Sequence, residues 1–271
     1  MKRIFIIGTP RSGTTLVQSL IRVHPQVYTF PETHFFSKII SRKKYKKYIQ
    51  WIHKEKIRYL VDFLISNNYY PDINANFKPG LKYIPSLIKK LLTILDEIAV
   101  LNNYHIWVEK TPMHLYYIDK IKQVDSSALF IHIIRNGLDN VASLYQVGQK
   151  YPYAFHFQSI DACLIRYMKE YEISQRYIGQ ENHFHLIYDD LVESPEKIID
   201  NLFNFLSLER PNNLFEDFNK NTYDFIQNHE KWKKHNKQGI YKSSKAREVF
   251  TQQEIAYIQN TLKNYTLDIF R

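Results

Sequence analysis

The stretch that most constrains this chain is Gly8-Thr-Pro-Arg-Ser-Gly-Thr-Thr15, set between the apolar run Arg3–Ile7 and the apolar-periodic stretch Leu16–Val23. Strand, glycine-bounded turn and helix start follow in that order. Such a turn points backbone N–H groups and the positive end of a helix dipole at an anion. The nucleotide-hydrolysing version of the loop, G-x-x-x-x-G-K-[ST], uses its lysine for the β- and γ-phosphates of a triphosphate. Here Thr14 stands in that place, and a cation, Arg11, lies three residues earlier. The exchange predicts a phosphate donor with no γ-phosphate, held by Arg11, Ser12, Thr14, Thr15 and backbone amides. A turn whose glycines serve only the geometry is the plainer alternative.

The rest of the chain supports an α/β reading. Short strands rich in Ile, Val, Phe and Tyr are predicted at Arg3–Ile7, Val27–Phe30, Ile106–Val108, Leu129–Ile134 and Phe184–Tyr188. Several are apolar throughout, as in a sheet covered on both faces. The expected fold is a central, mostly parallel sheet of about five strands flanked by helices, with a P-loop-containing nucleotide-binding architecture. Its 271 residues suit one domain, with a helical insertion or lid at about 37–103. Ser37–Ile65 and Pro85–Leu101 read as helices of that insertion, and Asn67–Pro79 as a loop. Ser194-Pro-Glu reads as a helix start with Ser194 as N-cap, and Thr251-Gln-Gln-Glu254 as a capping box.

One cysteine, Cys163, leaves no intramolecular disulfide and no Cys-based metal site, and a buried inert thiol is its expected state. The first strand begins at residue 3, and no run approaches the ~18 apolar residues of a membrane span, so a cytoplasmic location is expected. The net charge of +10 suits polyanionic partners: nucleic acid, an acidic membrane surface or a highly charged cofactor. Two basic patches, Arg42–Lys47 and Lys231–His235, concentrate it, and either also reads as a solvated face.

A second informative segment is Ile131-His-Ile-Ile-Arg-Asn-Gly-Leu-Asp-Asn-Val-Ala-Ser143. Arg135 ends a strand and offers a fixed fork of donors, and Ser143, two helical turns on, points to the same anion, as in a grip on a phosphate monoester. Alternatively Arg135 pairs with Asp139 at i+4 and Ser143 faces a helix neighbour.

Together the two segments resemble the PAPS-dependent sulfotransferase superfamily, whose donor is 3′-phosphoadenosine 5′-phosphosulfate (PAPS). Pro10-Arg-Ser-Gly-Thr-Thr15 looks like the 5′-phosphosulfate loop, which makes Pro10, Arg11, Ser12, Gly13, Thr14 and Thr15 donor-binding residues. Arg135 and Ser143 look like the 3′-phosphate pair. The resemblance is closest to the tyrosylprotein-sulfotransferase-like and bacterial branch, with Glu32 of Phe30-Pro-Glu-Thr-His34 in the place of its downstream glutamate. It covers roughly residues 3–36, 104–148 and 182–207.

That resemblance implies sulfonate transfer to a hydroxyl or amine by in-line displacement. Glu32 would be the general base, with Arg11 and Lys110 against the leaving phosphate. Glu32 and Lys110 also have structural alternatives, a surface or capping glutamate and a strand-end lysine. His114 and His34 are the next candidates for the base. Tyr188 would lie near the adenine, and a late basic loop with Ser243, Lys245 and Arg247 would close over the donor, leaving 3′,5′-bisphosphoadenosine (PAP) as product. No metal is expected, because cationic side chains replace Mg²⁺. The acceptor is a small molecule, carbohydrate, lipid or peptide that the sequence does not resolve. Aromatics such as Tyr69, Tyr70, Tyr151, Tyr153 and Phe155 are available to stack on it.

Two other function classes compete. A P-loop kinase of a small metabolite would require ATP and magnesium, and Thr14 speaks against it. A non-enzymatic polyanion-binding protein would bind with steep salt dependence and without the loop. No RNA-recognition motif is present, so no specific nucleic acid is expected, whereas peripheral contact with an acidic membrane surface fits the charge.

Overall fold

A computed structural model describes residues 1–41, 49–66, 78–152, 159–221 and 245–271. The chain opens with β1 (Lys2–Gly8), α1 (Thr14–Arg22), β2 (Val27–Thr29) and α2 (Phe35–Ile39). Next come β3 (Ile49–Ile52), α3 (Lys54–Ser66), β4 (Gly80–Tyr83) and α4 (Ile84–Leu101). Then β5 (Ile106–Lys110), a 3₁₀ turn (Pro112–Tyr117), α5 (Ile118–Lys122), β6 (Leu129–Ile134), α6 (Gly137–Lys150) and α7 (Ile160–Gln175) follow. The last part holds β7 (His183–Ile187), α8 (Tyr188–Glu193), α9 (Pro195–Phe205), α10 (Leu214–Asn221), α11 (Ala246–Val249) and α12 (Gln252–Thr261).

Five strands form the central sheet in the order β2-β5-β1-β6-β7, with β2/β5 and β6/β7 parallel. The middle strands are buried on both faces, which explains why they read as unbroken apolar runs rather than as alternation. The chain divides into two compact units, and the boundary runs through β1. Unit 1 comprises Met1–Phe5 and Gln26–Ala128, and unit 2 comprises Ile6–Pro25 and Leu129–Arg271.

In unit 1 the edges of Phe5 and Phe30 meet the Trp107 ring at centroid distances of 5.3 and 5.8 Å. The apolar stripe of α4, with Ile88, Leu91, Leu95 and Ile98, is buried. Arg3 is gripped by Asp96 (2.6 Å) and Asp125 (2.7 Å), and Asp96 also accepts the Trp107 indole N–H at 2.8 Å. In unit 2, α6 and α7 pack Val141, Leu144, Cys163, Leu164 and Tyr167 into one cluster with Ile187 of β7. Burial pushes the Cys163 thiol up to about 12, so it is inert, as expected from its place in a helix.

Several local readings are corrected. The helix expected over Ser37–Ile65 is interrupted: Ile49–Ile52 is a strand, paired antiparallel with Gly80–Tyr83. The physical reason is the alternation Ile49-Gln-Trp-Ile52, whose burial has period two. Tyr188 is not the last strand residue but the first of α8. Ser194 does stand at the N-cap of α9, yet its side chain makes no capping hydrogen bond. The Thr251–Glu254 capping box forms as read, with both reciprocal bonds present. The basic patches at 42–47 and 231–235, the loop over 67–77, Tyr69, Tyr70, Tyr153, Phe155 and Ser243 lie outside the described residues.

Candidate functional site

Each of the five central strands delivers a candidate residue at or just past its carboxyl end, where open α/β sheets bind ligands. The turn Thr9–Gly13 follows β1, Glu32 follows β2, Lys110 ends β5, Arg135 follows β6 and Tyr188 follows β7. These residues fall into two groups, one in each unit.

Unit 2 holds the loop. Gly8 has φ 144° and a Cβ there would lie 2.4 Å from the Ile133 carbonyl oxygen, so no larger residue fits where the loop leaves the sheet. Gly13, at φ 102°, is the N-cap of α1, and a Cβ on it would lie 2.4 Å from the Tyr188 ring. Arg11 has a left-handed φ of 71°, which a non-glycine residue sustains only when its surroundings enforce it. Those surroundings are visible: the Arg135 guanidinium donates to the Arg11 carbonyl at 3.2 Å and Asn140 donates to the Pro10 carbonyl at 3.2 Å. Arg11 Nε in turn donates to Ser143 Oγ at 3.3 Å.

Thr14 and Thr15 open α1, whose first turn carries no acidic residue. Ser12 is fully buried beside that helix start, and its hydroxyl has no hydrogen-bond partner among the described residues. A buried hydroxyl at the positive end of a helix is suited to an anionic oxygen, which would satisfy it.

Three cations gather near the loop. The Lys245 ammonium, which contacts Gln146 at 3.4 Å, titrates below its ordinary range. Burial is the main cause, and the like charges of Arg11 and Arg135 add to it. Arg135 stacks on Tyr188, 4.8 Å from the ring centroid, and its main-chain carbonyl accepts from the buried Tyr167 hydroxyl at 3.0 Å. Asp139 lies against the backbone N–H groups of Lys245 and Ala246 at the start of α11, and burial raises its pKa. It also feels the charge of Arg135, which favours its carboxylate form.

Unit 1 holds the acid–base group. Lys110 is buried at the end of β5 and its ammonium contacts Glu32 Oε1 directly. His34 Nε2 lies 3.3 Å from the other carboxylate oxygen, Oε2. Burial lowers the pKa of His34, with the Glu32 charge opposing it, so the ring is neutral at pH 7.

Sequence reasoning missed Glu109. Fully buried, it accepts the Thr33 N–H (3.2 Å), the Thr33 hydroxyl (2.9 Å) and the Thr111 hydroxyl on one oxygen, and meets His114 Nδ1 at 2.8 Å on the other. Burial by itself would push this carboxyl up. His114 and the Thr111 and Thr33 hydrogen bonds outweigh it and hold the pKa low. Glu109 thereby ties the Glu32-bearing segment to the end of β5, aided by the His34 N–H donated to Thr111 Oγ1 at 3.2 Å. A lone acid inside Ile106-Trp-Val-Glu-Lys110 was the available signal, because a charge in a buried strand must be paired. His114, a candidate base, is fully buried and committed to Glu109. Asn140 was missed as well, although its i, i+3 spacing to Ser143 puts both on one face of α6.

Among the described residues no group of three His, Cys, Asp or Glu is placed to hold a metal ion, and no helix is long and apolar enough to cross a membrane.

Comparison with known proteins gives this architecture its class. A family model described as the sulfotransferase family matches residues 3–212, and the chain belongs to that family. It is 27% identical over 213 residues to protein-tyrosine sulfotransferase 1 of Danio rerio, covering 77% of this chain and 54% of that protein. An uncharacterized protein of Aquifex aeolicus is 29% identical over 213 residues, covering 76% of this chain and 25% of its own length. The chain thus spans between a quarter and about half of these relatives. Among solved structures, the sulfotransferase domain from the curacin biosynthetic pathway superposes with a TM-score of 0.63 at 17% identity, covering 97% of each chain. Mouse sulfotransferase SULT7A1, complexed with PAP, gives 0.54 at 11% identity, covering 100% of this chain and 86% of its own. These two likenesses are of fold.

Proposed function

We propose that the protein is a PAPS-dependent sulfotransferase, moving the sulfonate of the donor to a hydroxyl or amine acceptor. The observation that carries this reading is the group formed by Arg11, Arg135 and Lys245 near the orphaned Ser12 hydroxyl and the start of α1. Such a group suits a donor with two separate phosphate-type anions and no γ-phosphate. Pro10 to Thr15 are assigned to the 5′-phosphosulfate, and Arg135, Ser143 and Lys245 to the 3′-phosphate. Tyr188 serves as the platform that orients Arg135 and closes over Gly13, rather than as an adenine contact alone.

Glu32 is assigned the role of base. As the acceptor oxygen attacks sulfur, its proton passes to the carboxylate, and the bond from sulfur to the bridging oxygen breaks. Arg11 and Lys110 stabilise the charge that grows on the leaving bisphosphate. The ion pair seen between Lys110 and Glu32 gives this a simple logic: a donor phosphate that draws Lys110 away leaves the carboxylate free to accept a proton. The acceptor class is a hydroxyl- or amine-bearing small molecule, carbohydrate, lipid or peptide.

A thermal-shift comparison tests the reading. PAP at a hundredfold excess over its dissociation constant should stabilise the protein by ~2.7 kcal/mol, and ATP with Mg²⁺ should do much less. A larger shift with ATP–Mg²⁺ would overturn it in favour of a kinase.

A further inference from the structure

We propose that the outer face of the β3–β4 ribbon is a docking surface for an anionic lipid bilayer. Register places Ile49 opposite Tyr83 and Trp51 opposite Leu81, so four large apolar side chains form two adjacent cross-strand pairs on one face. They are exposed by 52%, 52%, 55% and 64% in that order, whereas the central sheet buries its apolar residues. A contiguous patch of this kind marks an interaction surface.

The exposure belongs to a held element. A two-stranded ribbon has little stability of its own, and here its inner face is fastened down. Gln50 donates to the Ile39 carbonyl at 2.6 Å and accepts the Ser41 N–H at 2.7 Å, and Ile52 is buried.

Charge decides what the face meets. Over the described residues 49–66 and 78–90 there are seven basic and two acidic side chains, a net +5, half of the chain's +10 in a small fraction of its length. Lys54, Arg58, Lys78 and Lys89 among them are exposed. A second copy of this chain would bring the same positive excess against itself, which opposes self-association through this face. A bilayer with anionic headgroups supplies both an apolar layer for the four side chains and the opposite charge. Trp51 and Tyr83 are also the residue types that settle at the boundary between headgroups and acyl chains.

The test is independent of the donor residues. Wild-type protein is mixed with vesicles of phosphatidylcholine alone or with an equal part of phosphatidylglycerol, and bound protein is measured by co-sedimentation. The mixed vesicles should retain it, less so as salt rises, and Trp51 fluorescence should shift to the blue. Trp51→Ala with Leu81→Ala should lower partitioning by roughly tenfold or more, and Trp51→Leu alone should keep most of it. The melting temperature should stay at the wild-type value in each variant, since these side chains touch solvent. Absence of binding to the mixed vesicles, or equal binding by the double variant, overturns the proposal. So does a dimer that the double variant abolishes, or saturable binding of an acceptor peptide on the same four residues.

Discussion

The two groups of candidate residues solve opposite electrostatic problems. In unit 2, positive groups are brought near one another: Lys245 titrates low chiefly through burial, and the like charges of Arg11 and Arg135 add to it. In the unit 1 group the two carboxylates are already answered: Lys110 and His34 face the two oxygens of Glu32, and Glu109 is held by Thr33, Thr111 and His114. Under the proposed donor-binding role, the unit 2 group keeps its compensation for an anionic ligand. Under the proposed role of Glu32 as base, the carboxylate must stay aimed while no substrate is present, and internal partners would do this.

The largest expected effect lies in unit 1. Glu32→Gln should lower sulfonate transfer ~10²–10⁴-fold, with PAP affinity preserved, because the amide keeps size but accepts no proton. Turnover close to wild type would move the base elsewhere and break the contrast between the two regions.

Next comes Glu109→Ala, which strands the Thr33 N–H, two hydroxyls and His114 in a dry site. Loss of one partner from such a buried charged network costs about 3–5 kcal/mol, measurable by denaturant unfolding. Glu109→Gln, which retains an acceptor for Thr33, should lose less.

In unit 2, Arg135→Ala should weaken PAP ~10–100-fold while leaving adenosine 5′-phosphate nearly unchanged, as isothermal titration would show. Equal losses for both nucleotides would make Arg135 a support for the Arg11 carbonyl only.

The smallest effect is on acid stability. Glu109 titrates below its ordinary 4.5 in the folded protein, so its contribution is present above that value and fades as pH falls through the lower folded value. His34 and His185, both lowered chiefly by burial from 6.5, start to oppose folding once pH drops below 6.5, when the unfolded chain binds protons first. Unfolding free energy should therefore decline from pH 7 to 5, and more steeply below 4.5. Glu109→Gln should remove only the second part.

What could be read from the sequence was what lies close along the chain. The loop Gly8–Thr15 is a strand, a turn and a helix start in succession, and the Thr251–Glu254 box closes within one helical turn. Both depend on local backbone geometry and on donors and acceptors a few residues apart, so residue order settles them. Family membership followed from the same kind of information. The tertiary structure alone decided which distant groups meet. Glu109 finds Thr33 across 76 residues, Arg11 finds Ser143 across 132, and Ile49–Ile52 takes its partner from Gly80–Tyr83. A four-residue alternation fits a strand but does not name its neighbour, and a buried acid must be paired without sequence saying by whom. Those choices depend on the path of the whole chain, because burial and desolvation set the energy of a polar contact only once the surrounding core exists.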